Sequence, residues 1–363
     1  MNINEEMNKA LNEQKEFFIK NGSPSIELRI DRLKRLKALI MDNRYDFVDA
    51  LNEDFGNRSK NASMLSDVYG IMPAINLAIK NVKKWNNIEK KSSNFPFGFL
   101  GAKSYIKYEP LGTVGMISPW NFPVNLSFLP LVSIFAAGNQ VMHKPSEHTP
   151  TTSLLLKELC DKSYDQNEFA TFLGGPEVGE AFTKLKFDHL LYTGGGSVAK
   201  HVMNSASQNL VPLTLELGGK SPVVIGKTAD LSTSAKRIMF GKTLNAGQIC
   251  LAPDYVVVHK DQKEDFIQAT KNAVTEYFPN LKDNDDKLDE NDIVDLNEKL
   301  DALKKAKNSG DVGIIKSSME SLNTVWSGLA SKMYDTAGLN ASQISNKILD
   351  ILFAKESIKV VKN

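Results

Sequence analysis

Between residues 113 and 226, short apolar, β-branched runs alternate with helix-length segments, and this alternation restricts the chain more than any other feature. TVGMIS (113–118), NQVMHK (139–144), DHLLYTG (188–194), VPLTLEL (211–217) and SPVVIG (221–226) read as buried strands. Strands separated by helical segments indicate βαβ units and a parallel sheet, so the fold class is α/β with a Rossmann-like core. In such sheets ligands bind beyond the carboxyl ends of the strands. Residues 1–90 read as packing helices: Ile26, Ile30, Leu33 and Ile40 keep a helical spacing, and a second periodic run leads to Trp85.

The charge balance narrows the function classes. With 44 Lys+Arg against 43 Asp+Glu, the formal charge is +1, which leaves no electrostatic basis for nucleic-acid or anionic-membrane binding. Pro110 to Met142 carries no charged side chain, but Pro119, Pro123 and Pro130 with Asn121 and Asn125 would break a spanning helix, so no membrane span is expected. The N-terminus lacks the apolar core of a signal peptide. Cys160 and Cys250 stand far apart with no CxxC or Cys/His cluster, which predicts neither a disulfide framework nor a metal site. A reducing cytoplasm is the expected location.

Two constellations carry chemistry. Gly194-Gly195-Gly196-Ser197-Val198-Ala199 fits G-x-G-x-x-A between a strand and a helix, where glycines let a pyrophosphate approach the positive helix end. Its competing reading is a Gly-rich turn closing helix against strand. Glu216, 20 residues after Gly196, stands where a ribose-binding acid is expected. Glu216 also lies at a strand end beside two glycines, with Cys250 34 residues further on. A thiol and a carboxylate suit a thioester mechanism: the thiolate is the nucleophile, and a buried carboxylate of raised pKa activates water. The bland reading of Cys250 is a small buried hydrophobe.

Five motifs in order carry a family resemblance: PWNFP (119–123), HKPSE (143–147), YTGGGSVAK (192–200), LELGGKSP (215–222) and NAGQICLAPDY (245–255). Together they resemble the aldehyde dehydrogenases. DFGNRS from Asp54, NVKKW (81–85) and the PDY after the cysteine are most similar to the coniferyl-aldehyde and fatty-aldehyde group. The resemblance covers about residues 5–282 and implies NAD(P)-dependent oxidation of an aldehyde to a carboxylic acid. It makes Cys250 the nucleophile, Asn121 with the Cys250 backbone N–H the oxyanion donors, and Glu216 the base that activates water, in place of the ribose role. It assigns cofactor contacts to Lys144, Glu147, Gly195 and Ser197, with Trp120 and Leu217 beside them. TGGGSVAK departs from the commoner Gly-Ser pairing, and Ile249 replaces a small hydroxyl residue often found before the cysteine.

The same resemblance implies a chain truncated in its catalytic domain, since the E-x-F-G-P motif and a final oligomerisation strand have no counterpart; Glu276-Tyr277-Phe278-Pro279 reads as a helix end. The expected layout is a dinucleotide-binding domain over 1–216, with a hairpin near 97–112 like the family's inter-subunit hairpin. A partial catalytic domain over 217–281 and an acidic linker with a helical tail over 282–363 follow. Residues 283–295 hold seven acidic residues and read as a solvated linker, Lys287 opposing a calcium loop. Gly310 and Asp311 mark a helix break. Ile315, Met319, Leu322, Trp326, Leu329 and Met333 then form an amphipathic stripe, and residues 296–335 resemble the C-terminal helical lid of the seventy-kilodalton heat-shock chaperones. The rival classes are a non-catalytic nucleotide-binding or interaction protein and, below it, a chaperone-related adaptor. The hairpin implies a homodimer, for which the usual partner strand has no counterpart.

Overall fold

The computed structural model describes residues 2–56, 58–279 and 290–309, with parts of 311–325. The chain divides into two compact units, residues 1–220 with 245–252 and residues 221–244 with 253 onward.

The first unit opens with α1 (Ile3–Asn21), α2 (Ile26–Asp42), α3 (Arg44–Phe55), α4 (Lys60–Ser63) and α5 (Met72–Trp85). Asn2 and Glu5 start α1 with a reciprocal capping box, each side chain accepting from the other's backbone N–H. The helical spacing read from Leu33 and Ile40 is realised, both fully buried. Lys60–Trp85, in which π and 3₁₀ turns join α4 to α5, is long and apolar enough by composition to cross a membrane. Its Val68, Ile71, Ile75, Ala78 and Val82 lie in the core.

Strands β1 (Glu89–Lys91) and β2 (Ser104–Ile106) pair antiparallel and bracket an arm on which Phe95, Phe97, Phe99 and Leu100 are exposed. Then come β3 (Thr113–Ile117), α6 (Asn125–Ala137), β4 (Gln140–Lys144), α7 (Pro150–Ser163), β5 (Phe169–Thr171), α8 (Pro176–Thr183), β6 (His189–Gly194), α9 (Gly196–Ser207) and β7 (Leu213–Leu217). The uncharged run 110–142 is thus a strand, a helix and a strand. The five strands form one parallel sheet in the order β5-β4-β3-β6-β7. The winding reverses between β3 and β6, which is the topological switch point of a doubly wound sheet. Both faces are covered over β5, β4 and β3, as a parallel sheet requires. Val141 and Phe169 pack with α2, α3 and α5–α7, while their neighbours Met142 and Ala170 pack with α1, α8 and α9.

The alternation read from the sequence locates β3, β4 and β6 within a residue and misses β5, whose three-residue FAT carries too little pattern. Two strands expected to be buried are not. Strand β7 is an edge strand with Thr214, Glu216 and Leu217 exposed. SPVVIG supplies β8 (Ser221–Val224), which belongs to the second unit and pairs parallel with β9 (Pro253–Val257). Among the described residues only one face of that ladder is covered: Val223 and Val256 pack with α10 (Leu231–Thr243) and α11 (Lys263–Tyr277), whereas Val224 and Val257 are exposed.

Phe278 caps α11, so the E-Y-F-P sequence is a helix end. Residues 290–295, expected to be linker, begin α12 (Glu290–Ser309); the first half of that acidic run, Gly310, Met319 and the stripe from Trp326 onward lie outside the described residues.

Candidate active site

Every residue singled out for chemistry lies in the first unit, on segments leaving the carboxyl ends of its strands or on the 245–252 loop. The sheet register sets Lys144, Ile117, Tyr192 and Leu215 in one row across β4, β3, β6 and β7. Beyond that row run the turn with Trp120 and Asn121, the Lys144–Glu147 loop, and the Gly195–Gly196 entry to α9.

Asn121 ties the first of these segments to the cysteine loop. Its Nδ2 donates to the Gln248 carbonyl at 2.8 Å, and Asn245 Nδ2 donates back to the Asn121 carbonyl at 3.0 Å. Asn245, Ala246 and Gly247 all take positive φ, at 49°, 53° and 77°. For Ala246 that conformation costs about 1 to 2 kcal/mol, so tertiary bonds must hold it. Cys250 follows as an exposed, free thiol.

DFGNRS braces the same turn from behind. Asp54 accepts from Thr151 and Thr152 N–H at 3.0 and 2.7 Å, capping α7. The rings of Phe55 and Trp120 lie 6.3 Å apart. Arg58, between the Phe55 and Phe122 rings, pairs with fully buried Asp67 at 2.6 Å. Asp67 also accepts from Val124 and Asn125 N–H at the start of α6.

At the end of β4, Lys144 is buried and its Nζ bonds the Glu147 carboxylate. Partial burial pushes the Glu147 carboxyl up, but the Lys144 ammonium outweighs it and holds it below the usual carboxylate range. At the end of β6, Gly195 begins α9 with no side-chain cap, and a Cβ on Gly195 or Gly196 would meet nothing within 4 Å. The Tyr192 hydroxyl donates to the Gly195 carbonyl at 3.2 Å and fixes this turn. Ser197 is exposed in the first turn of α9. An open glycine cradle at a helix N-terminus after β6, with a buried ammonium at the end of β4 on the other side of β3, fits the phosphates and ribose of a dinucleotide.

Glu216 and Leu217 end β7 and are exposed. The expectation of a buried Glu216 is therefore corrected: an edge strand leaves one side of its carboxylate to solvent. Among the described residues no cluster of three His, Cys, Asp or Glu groups is disposed to hold a metal ion. Residues that sequence reasoning left without a role include Arg58, Asp67, Asn245, Gln248 and Tyr192. All but Asp67 lie inside the motifs above; Asp67 pairs with Arg58 nine positions away, but its other partners, the Val124 and Asn125 N–H groups, are remote in sequence.

The aldehyde dehydrogenase family model matches residues 2–298. A probable coniferyl aldehyde dehydrogenase of Caulobacter vibrioides is 51% identical over 281 residues, covering 77% of this chain and 58% of that protein. A coniferyl aldehyde dehydrogenase of a Pseudomonas species is 46% identical over 282 residues, covering 78% and 58%. The solved substrate-bound structure of Staphylococcus aureus AldH aligns with TM-score 0.72 and 37% identity, over 77% of this chain and 59% of that one. The chain thus spans 58% of the length of the curated relatives it matches. None of these similarities extends to a heat-shock chaperone, so the lid resemblance expected for 296–335 is not supported. The switch-point sheet, the motif residues it gathers and the match over 2–298 agree: the chain belongs to the aldehyde dehydrogenase family.

Proposed function

We propose that this chain binds NAD or NADP and oxidises an aldehyde to the carboxylic acid, the substrate being aromatic, such as coniferyl aldehyde, or medium- to long-chain aliphatic. The observation that carries this reading is the reciprocal bonding between Asn121 and the loop bearing exposed Cys250. In it the Cys250 thiolate attacks the carbonyl carbon, and the carbonyl π pair moves onto oxygen. The Asn121 N–H not given to Gln248 and the Cys250 backbone N–H donate to that oxyanion; each such donor is worth about 2.7 to 4 kcal/mol in the transition state. The nicotinamide, when bound, supplies the hydride acceptor. The acyl group then left on Cys250 is a thioester; Glu216 takes one proton of the water whose oxygen attacks the acyl carbon, and the C–S bond breaks to release the carboxylic acid and the Cys250 thiolate.

Lys144 with Glu147 holds the ribose in this reading, Gly195 and Ser197 the pyrophosphate, and Trp120 and Leu217 flank the cofactor. Residues 1–216 then form the dinucleotide-binding domain and 217–281 carry the cysteine, with 282–363 as linker and tail. The proposed setting is the cytoplasm, and the proposed assembly is a homodimer through the β1–β2 arm.

The test is the absorbance of reduced cofactor when the purified chain is mixed with NAD or NADP and an aromatic or medium-chain aldehyde. Turnover that disappears in Cys250→Ser supports the reading. The exposure of Glu216 favours a second one, a nucleotide-binding protein without turnover. Cofactor binding with no product, in wild type and variant alike, would establish that one instead.

A further inference from the structure

We propose that His143 is a positioning residue for the Trp120–Asn121 loop, heading a buried hydrogen-bond relay, His143–Ser118–Ser127–Pro123, whose central link staples the two ends of that loop. The proposal rests on the functional reading only in the use made of Asn121.

Ser118 is the first residue after β3, and Ser127 lies in the first turn of α6; Trp120 and Asn121 are on the segment between them. The two hydroxyls are 2.8 Å apart and both residues are buried. Ser118 is also held by its backbone, whose N–H donates to the Lys144 carbonyl at 3.2 Å. Its hydroxyl lies 2.8 Å from His143 Nε2, and the Ser127 hydroxyl is 2.6 Å from the Pro123 carbonyl.

The proton on each link follows from the far end. A carbonyl only accepts, so Ser127 spends its one hydroxyl proton on Pro123. Ser127 Oγ must therefore accept from Ser118, which spends that proton too. Ser118 Oγ can then only accept from His143, which must be the neutral tautomer with its proton on Nε2. The other end of the ring agrees: His143 Nδ1 is buried and has no partner among the described residues, as suits a bare nitrogen and not an N–H. The imidazole cannot swing away, because it stacks on Phe169 with centroids 5.8 Å apart and planes 19° apart, and its backbone is paired on both sides within β4. A Leu or Val would fill the same volume but would leave the Ser118 oxygen without a donor.

The test is a nitrogen NMR spectrum of the full chain labelled with ¹⁵N at its five histidines, His143 being assigned by its loss in His143→Gln. The expected result is a proton on Nε2 and a bare Nδ1, unchanged from about pH 5 to 8, where a free histidine titrates. A proton on Nδ1, or titration in that range, overturns the proposal.

The positioning role is read from hydrogen exchange of the Asn121 side-chain amide, assigned through Asn121→Asp. His143→Leu should speed that exchange roughly tenfold, the equivalent of one lost hydrogen bond, and Ser118→Ala, which removes two, at least as much, while His143→Gln, which still offers a donor, stays near wild type. Unchanged exchange in Ser118→Ala overturns the role, and this variant decides the matter should His143→Leu fail to fold. Neither readout needs turnover. An inactive chain that passes both keeps the relay and loses the dehydrogenase reading; an active chain that fails them does the reverse.

Discussion

Asn121 and Gln248, 127 positions apart, are joined by a 2.8 Å bond from the Asn121 amide to the Gln248 carbonyl, two residues before Cys250. The bond leaves Asn121 one free N–H and fixes where it points. The same side chain that is proposed to stabilise the oxyanion therefore also locates the loop that carries the nucleophile.

Asn121→Ala removes both contributions. Turnover should fall by about 10²- to 10³-fold through the lost donor, and amides of 245–252 should exchange faster because the strained turn loses a tie. Steady-state kinetics with hydrogen exchange by mass spectrometry checks both. A turnover loss with unchanged exchange would assign the side chain to the oxyanion alone.

Asp67→Ala leaves the Arg58 guanidinium without its partner, at a site where Asp67 is fully buried and Arg58 nearly so. Breaking such a pair costs about 3 to 5 kcal/mol. Urea unfolding should show that loss of stability, because the two N–H groups at the start of α6 lose their acceptor as well.

Acid should destabilise the first unit in two steps. Burial, with Lys144 adjacent, lowers the His143 pKa from 6.5 to about 3. Between those values the unfolded chain binds the extra proton, so stability falls as pH drops below 6.5. Burial raises the Glu168 carboxyl, but Arg35 and Arg32 outweigh it and hold it below 4.5. Its contribution is complete above pH 4.5 and is lost as pH falls through the depressed value. Thermal melts across this range should lose the upper step in His143→Gln and the lower one in Glu168→Gln.

Gly115→Ala should destabilise by about 1 to 3 kcal/mol through overpacking. A Cβ there would lie 2.6 Å from the Phe187 ring and 2.9 Å from Leu190 Cδ1, in the middle of the central strand β3. Thermal unfolding of the variant is the measurement. An unchanged midpoint would show that the Phe187 ring yields.

Much of this protein was legible in its residues. The alternation of apolar runs and helical spacings predicts the parallel sheet, because the periods of strands and helices are local properties of the backbone. The Gly-rich turn also announces itself, since close backbone approach needs glycine, whereas Lys144 and Glu147 stand out only through the family resemblance, the residues alone reading as a surface pair. What the tertiary structure alone decided is the part that depends on remote neighbours. The exposure of Glu216 follows from the edge position of β7, and SPVVIG is half-covered because it joins a separate ladder. The direction of the His143 relay requires Ser118, Ser127 and Pro123 at hydrogen-bond distance. A motif states which groups are present; whether each is bonded, buried or open to solvent is set by segments that only the fold brings together, 25 positions apart for His143 and Ser118 and 127 for Asn121 and Gln248.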